Sequence, residues 1–222
     1  MSEVEIPLHR LVRRVLDRAA ARLERRYLLG IAGPPGAGKS TLSVLLRDAF
    51  PAAAAEIAPM DGYHLSNERL RAARSQARKG EPDTFDVAGF VENLRRLRTT
   101  PRGTPVPWPT FDRELDEPTP AGVVFLDQPL AITEGNYLLL DDVDGYGWSA
   151  VRQELDECWY LDADRDVLEE RLLKRHRRGG KSAEAARTKV SESDLRNADR
   201  VSATRERADL VLRERDGRYF LA

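Results

Sequence analysis

The residues best suited to chemistry lie in one glycine-rich stretch, GPPGAGKST, at positions 33–41. Its spacing is G-x-x-x-x-G-K-[ST], in which Lys39 and Ser40 follow the second glycine. Backbone N–H groups of such a loop surround phosphate oxygens, the lysine reaches the β- and γ-phosphates, and the serine hydroxyl ligates Mg²⁺. The stretch therefore predicts a nucleoside triphosphate site made by Gly33, Pro34, Pro35, Gly36, Ala37, Gly38, Lys39, Ser40 and Thr41.

Two carboxylates are predicted beside this loop, because each follows a short apolar segment. Glu134 follows Leu-Ala-Ile-Thr, where an acid can hold Mg²⁺ together with Ser40; the alternative is a solvated acid at a strand end. Asp61 precedes Gly62 and is the candidate that orients an acceptor hydroxyl and takes its proton. The alternative for Asp61 is an aspartate that only opens a turn.

Two further sets of residues could take part in phosphoryl transfer, one near the transferring phosphoryl group and one near the acceptor. Arg171 and Arg175 are four residues apart, so they share one helical face and can stabilise the charge of a transferring phosphoryl group. The alternative is a favourable interaction of a basic segment with a helix C-terminus. Phe111, Asp112 and Arg113 together suit a polar metabolite, and a loop ion pair is the alternative.

The elements that must position these residues follow from apolar patterning. An apolar run at 27–32 predicts a buried strand before the loop, and residues 41–50 predict a helix with Leu42, Leu45, Leu46 and Phe50 on one face. Further strands are predicted at 55–60, 123–126, 129–134, 159–162 and 208–212, and helices at 4–26, 87–98 and 167–178. This alternation predicts an α/β fold with a parallel sheet covered on both faces.

Two segments on the acceptor side are harder to assign. Residues 66–82 are polar and rich in arginine, which predicts an exposed helix or a mobile flap. Residues 99–121 contain six prolines and predict a stiff, extended excursion. On the helix 4–26, Leu23 is predicted to continue the apolar face, and Asp86 is predicted to cap the helix 87–98.

Bulk properties exclude several classes of protein. The 222 residues are enough for one α/β domain, and 36 basic against 37 acidic residues create no field that favours nucleic acid or an acidic membrane. Cys158 is the single cysteine, so a disulfide framework is excluded. There is no apolar run of 18 residues, and the expected location is the cytoplasm.

These pieces, in this order, resemble the uridine kinase and pantothenate kinase group of P-loop kinases over residues 27–212. The resemblance rests on MDGYHLSN at 60–67, PTFDR at 109–113, TEGNYLLL at 133–140, RLLKR at 171–175 and SDLRNADRV at 193–201. The chain also resembles a bacterial branch of this group, described as nucleoside/nucleotide kinase-like or fructose-transport-associated kinases. The resemblance implies a three-layer P-loop NTPase fold with a five-stranded parallel sheet in one domain, 1–222, comprising an N-terminal helix (1–26), an acceptor-side insertion (62–121) and a helical lid (171–198).

The resemblance also implies roles for single residues. It makes Asp61 the catalytic aspartate, Glu134 the acid on the metal side, and Arg171 and Arg175 the lid arginines, with Asn197 near the nucleotide base. The residues that would meet the acceptor are Tyr63, His64, Phe111, Asp112, Arg113, Asn136 and Tyr137. One departure matters, because the Tyr-Asp-Phe run of the nucleoside kinases is Phe111-Asp112-Arg113 here.

The function predicted from these residues is an ATP-dependent kinase that transfers a γ-phosphoryl group to a hydroxyl of a nucleoside, sugar or pantothenate-like metabolite. Lys39, Asp61, Arg171 and Arg175 would carry catalysis, with Mg²⁺ as the metal. One alternative is an NTPase switch or assembly factor without a metabolite acceptor, and another is a regulatory module that has lost catalysis. The resemblance is also compatible with a homodimer.

Overall fold

The structure is a computed structural model that describes residues 4–22, 24–141 and 145–222. Its strands are β1 Val4–Glu5, β2 Tyr27–Ala32, β3 Ala55–Pro59, β4 Val106–Asp112, β5 Glu117–Phe125, β6 Leu130–Gly135, β7 Glu157–Asp162, β8 Leu210–Arg215 and β9 Arg218–Leu221. Its helices are α1 Leu8–Ala20, α2 Lys39–Ala49, α3 Asn67–Ala72, α4 Val87–Thr99, α5 Ser149–Glu154, α6 Arg165–Arg178, α7 Ala183–Lys189 and α8 Leu195–Ser202. A 3₁₀ turn covers Met60–Tyr63, and a π-helical turn, Val190–Asp194, joins α7 to α8.

The central sheet has the strand order β1-β9-β8-β7-β2-β6-β3. The five strands from β8 to β3 are parallel, as predicted, and β2 lies in their middle, paired with β6 and β7. The predicted five-stranded parallel core is therefore present, and β9 and β1 extend the sheet to seven strands through antiparallel pairings. The predicted α/β class with helices on both faces is confirmed.

The two faces of the sheet carry separate apolar cores. Along β2, Leu28 and Ala32 face the core beneath α4, while Leu29 and Ile31 face the core beneath α1, α2 and α6. This alternation is the period of two that a strand imposes on its side chains. Helices on both sides bury every residue of β2, which explains why that strand reads as a continuous apolar run.

The predicted helices form with adjusted ends. Asp86 caps α4, and its side chain accepts from the Gly89 N–H at 3.0 Å. The helix predicted at 4–26 is shorter, because residues 4–5 form a strand and α1 ends at residue 20; Leu23 and residues 1–3 lie outside the described residues. In α2, Leu45 is 40% exposed, so it does not share the buried face of Leu42 and Leu46.

The proline-rich segment, predicted to be a stiff, extended excursion, forms paired strands. β4 and β5 pair as an antiparallel hairpin over residues 106–125, with an irregular register between Trp108 and Thr110. Trp108 is fully buried against the core beneath α4. The polar segment 66–82 contains α3, whose Leu70 is buried. None of the helices in the described residues is both long and apolar enough to cross a membrane.

Candidate active site

The glycine-rich loop connects β2 to α2 at the carboxyl edge of the parallel strands. In the sheet, β2 lies between β6 and β7, and the next strand along the chain, β3, lies on the far side of β6. The later strand β7 pairs with the opposite edge of β2. The loop after β2 therefore lies at the point where the strand order reverses. α2 starts at Lys39 with Gly38 as its N-cap, in a left-handed conformation (φ 98°) and without a side-chain cap. The first N–H groups of α2 and the positive end of its dipole are therefore available to an anion.

Lys39 lies beneath this loop and is only 7% exposed. Its Nζ donates to the Pro34 carbonyl oxygen at 2.9 Å and to Asn136 Oδ1 at 2.7 Å. Burial lowers the pKa of Lys39 to about 8, although the carboxylates of Glu134 and Asp61 oppose the shift. Asn136, predicted to meet an acceptor, thus positions Lys39, whose ammonium keeps a third N–H that could donate to a further acceptor.

Glu134 lies between the loop and the turn that carries Asp61. In the sheet it pairs with Ile31 of β2 and Pro59 of β3, and its Oε1 accepts from Ser40 Oγ at 2.9 Å. Burial raises the pKa of Glu134, and the negative charge of Asp61 raises it further. The carboxylates of Glu134 and Asp61 repel each other, and Glu134 lies beside the Ser40 hydroxyl. These groups offer the hard oxygen ligands that Mg²⁺ prefers, so the residues present fit this ion.

Asp61 sits on the 3₁₀ turn directly after β3, and the hairpin fixes its position. A Cβ on Gly62 would lie 2.1 Å from the Pro109 carbonyl oxygen, so the strand β4 passes this turn at a distance that only glycine permits. Trp108 Nε1 donates to the Pro59 carbonyl oxygen at 3.0 Å. The Asp61 side chain is 30% exposed, and its Oδ2 lies 3.4 Å from Arg113 Nη2.

The two predicted lid arginines have different surroundings. Arg171 donates from Nη2 to Glu214 Oε2 on β8 at 2.5 Å, and its Nη1 lies 3.9 Å from the position of a Cβ on Gly38. The Arg175 side chain makes no hydrogen bond or ion pair with the described part of the chain. Burial lowers the pKa of Arg175, and the positive charge of Arg113 lowers it further, whereas the negative charge of Asp61 raises it. Arg171 therefore lies against the glycine-rich loop, and the carboxylates of Asp61, Asp194 and Glu134 act on the charge of Arg175.

His64 and Phe111 form the wall of the site on the acceptor side. The His64 ring lies between Phe85, at 4.1 Å between centroids, and Phe111, at 4.7 Å. Its Nδ1 lies 2.8 Å from the Asp61 carbonyl oxygen. Burial lowers the pKa of His64, which favours the neutral ring and a packing role.

Two tyrosines that were predicted to meet the acceptor belong to the core. Tyr137 is fully buried, and its hydroxyl donates to the Gly80 carbonyl oxygen at 2.6 Å. Tyr63 is 8% exposed and packs against Phe90 and Trp108. Both rings hold the acceptor-side segments against the core, so their burial argues against direct contact with an acceptor.

Asp112 and Asn197 have surroundings that the sequence did not predict. Asp112 Oδ1 accepts from the backbone N–H groups of Glu114 and Leu115, at 2.8 and 3.0 Å, so this carboxylate shapes the turn of the hairpin. Asn197 is buried on α8. A contact between Asn197 and the nucleotide base stays a prediction.

Lys79 is a site residue that the sequence reasoning missed. Its Nζ donates to Asn67 Oδ1 at 2.8 Å and to Asp116 Oδ2 at 2.9 Å, and it lies 5.2 Å from the centroid of Phe111. The Lys79 carbonyl oxygen accepts from Lys189 of α7 at 3.2 Å. Lys79 thus connects the acceptor-side segment, the hairpin and the lid. No local pattern marks it, because its partners are distant in sequence.

Comparisons with known proteins agree with this geometry. No family model matches the chain. It is 34% identical over 201 residues to YggC of Escherichia coli strain K12, an uncharacterized protein, with coverage of 88% of this chain and 81% of YggC. It is 32% identical over 202 residues to a Schizosaccharomyces pombe protein proposed to be a uridine kinase, with coverage of 86% and 84%.

A solved structure matches at a similar level. The crystal structure of a protein from Silicibacter sp. TM1040, proposed to be a fructose transport system kinase, is 36% identical to the chain with a TM-score of 0.84, and the match covers 93% of this chain and 98% of that one. More distant relatives include pantothenate kinases. The chain therefore belongs to the uridine kinase and pantothenate kinase group of P-loop kinases, a family of small-molecule kinases.

Proposed function

We propose that this chain is an ATP-dependent kinase that transfers the γ-phosphoryl group to a hydroxyl of a small molecule. The observation that carries the proposal is the convergence of a phosphate-binding loop and an acceptor-side aspartate at one edge of the sheet. Asp61 and Glu134 both act on the charge of Lys39, and Arg175 faces the same pair of acids. A phosphoryl donor and a hydroxyl acceptor could therefore meet between these groups.

On the donor side, the N–H groups at the start of α2 and the Lys39 ammonium bind the phosphates. Ser40 and Glu134 would hold Mg²⁺. This ion would supply positive charge that offsets the negative charge of the phosphates. Arg171, already against the loop, and Arg175 supply positive charge where negative charge develops in the transition state.

On the acceptor side, Asp61 orients the hydroxyl and accepts its proton. The hairpin holds Asp61 through the Trp108 hydrogen bond and the close contact at Gly62. Such positioning is most of what an enzyme contributes to phosphoryl transfer. A switch that only hydrolyses nucleotide needs no such acid next to a walled acceptor crevice, so the geometry favours a kinase.

The test is ADP formation with and without a panel of nucleosides, sugars and pantothenate. A kinase forms ADP faster with one acceptor, whereas equal slow hydrolysis across the panel would support a switch. Asp61→Asn should retain ATP affinity and lose roughly 10²- to 10⁴-fold in acceptor-dependent turnover. The matched control is Asp48→Asn, at an exposed position on α2, which should turn over like the wild type.

A further inference from the structure

Two arginines, Arg113 and Arg175, lie close to Asp61 on the acceptor side of the site. Arg113 has a 57% exposed side chain, and its one contact in the site is the long 3.4 Å approach to Asp61. The positive charge of Arg113 lowers the pKa of Arg175 through like-charge repulsion. Three acids act on the charge of Arg175: Asp61, Glu134 and Asp194, of which Asp194 is already paired with His176 at 2.6 Å. The Arg113 guanidinium, exposed and held only by its long approach to Asp61, is therefore the group that can take up an added anion.

The aromatic rings on the acceptor side, by contrast, already pack against other side chains of the protein. The Phe111 ring is already contacted by His64 and by the Lys79 ammonium. His64 in turn packs against Phe85. A nucleobase therefore finds no open pair of aromatic faces on this wall, although stacking is a main source of base affinity.

Resting on the kinase function above, we propose that the acceptor is a small hydroxyl compound that carries its own anionic group, a carboxylate or a phosphate ester, and that Arg113 binds this group. A guanidinium matches either anion with two parallel N–H bonds. Arg113 follows the last residue of β4, whose position relative to Asp61 is set by the Gly62 contact, so it can hold the anion while the hydroxyl reaches Asp61.

This arrangement also couples recognition to chemistry. In the structure Arg113 approaches Asp61 Oδ2, the oxygen that would otherwise accept the hydroxyl proton. When an acceptor anion takes the guanidinium, Asp61 loses this partner and becomes a better hydrogen-bond acceptor. A neutral alcohol leaves Arg113 beside Asp61, so Asp61 is then less available to accept the hydroxyl proton.

The test uses pairs of acceptors that differ only in the anion: glycerate against glycerol, pantothenate against pantothenol, and ribose 5-phosphate against ribose, with uridine as the nucleoside. Acceptor phosphorylation is measured with ATP and Mg²⁺ for the full chain, for Arg113→Ala and for Arg113→Lys. Arg10→Ala is the charge-matched control, because Arg10 is exposed on α1, outside the site.

We expect an anionic member of one pair to be phosphorylated well above its neutral partner. Arg113→Ala should then raise the KM for the acid roughly 10- to 100-fold, the equivalent of a charge-assisted hydrogen bond, with a much smaller effect on the neutral partner. Arg113→Lys should recover part of the loss, and Arg10→Ala should behave like the wild type.

Three results overturn the inference. Phosphorylation of uridine or a neutral sugar in preference to the acids would remove the anionic class while leaving the kinase function intact. A preferred acid whose KM is unchanged in Arg113→Ala would remove the role of Arg113. Equal ADP formation with and without every compound would refute the kinase function itself, and this inference with it.

Discussion

Replacing Lys39 by methionine tests whether the buried lysine is held ready for a phosphate. The substitution keeps an unbranched side chain of similar length and removes the charge and its proton. In the folded protein without nucleotide, burial lowers the pKa of Lys39 from 10.5 to about 8. The ammonium is therefore a destabilising group until an anion reaches it.

The magnitude follows from this shift. A difference of about 2.5 pKa units corresponds to about 3 kcal/mol of stability that the charged lysine costs below pH 8. Methionine recovers this cost but leaves the Pro34 and Asn136 acceptors without their donor, at about 1 kcal/mol each. The net expectation at pH 7 is a nucleotide-free Lys39→Met protein that is about 1 kcal/mol more stable than the wild type.

The pH dependence is the sharper signature. Between pH 8 and 10.5 the folded wild type has lost the Lys39 proton while the unfolded chain still binds it, so wild-type stability rises with pH. The advantage of Lys39→Met should therefore shrink by about 1.3 kcal/mol between pH 7 and pH 9. Titrating groups that do not interact with Lys39 cancel in the difference between the two proteins.

Urea unfolding of both proteins at pH 7 and pH 9 measures this difference, and Lys181→Met, at an exposed lysine, is the control with a constant difference. ATP should raise the melting temperature of the wild type, because it binds only the folded state, and leave that of Lys39→Met unchanged. A Lys39→Met protein whose stability relative to the wild type is the same at both pH values would refute the buried-charge reasoning.

The remaining predictions concern the groups that hold the site. Gly62→Ala should displace the hairpin, because its Cβ would lie 2.1 Å from the Pro109 carbonyl oxygen; acceptor-dependent turnover should fall at least ~10-fold with ATP affinity, measured by calorimetry, unchanged. Trp108→Phe removes the donor to the Pro59 carbonyl oxygen and should lower the free energy of urea unfolding by about 1–2 kcal/mol. Glu157→Gln neutralises a fully buried acid that accepts from Arg14, Tyr27 and Trp159 and should cost roughly 2–4 kcal/mol in the same assay, whereas Asp17→Asn, in an exposed ion pair, should change nothing measurable.

The donor half of the site was predictable because its signals are local. The loop, the strand before it and the helix after it lie within 23 residues of one another, from Tyr27 to Ala49, and each has its own sequence pattern. The Asp86 cap is equally local. Glu134 and Asp61 needed only the rule that the carboxyl ends of parallel strands share one edge of a sheet.

The hairpin was missed because prolines argue against strands. Pro107 and Pro109 lie in β4, and Pro118 and Pro120 lie in β5. A two-stranded ribbon has outer edges where a missing N–H costs no ladder hydrogen bond, so it tolerates these residues where a central strand would not.

β9 was missed although a signal was present. Asp216 and Gly217 lie between β8 and β9, and both have positive φ values, 51° and 75°. An Asp-Gly pair of this kind is the preferred two-residue turn of a hairpin. The contacts of Lys79 and the pairing of Arg171 with Glu214, in contrast, depend on tertiary packing that no local pattern encodes.

The most direct test of the central claim follows the fate of the γ-phosphate. The protein is incubated with ATP labelled in the γ-phosphate, Mg²⁺ and the acceptor panel, and the label is separated into inorganic phosphate and organic phosphate esters. Phosphoryl transfer predicts that the label enters an ester of one acceptor, and that Asp61→Asn loses this product while still binding ATP. Label found only in inorganic phosphate, at the same rate in the wild type and in Asp61→Asn, would contradict the account.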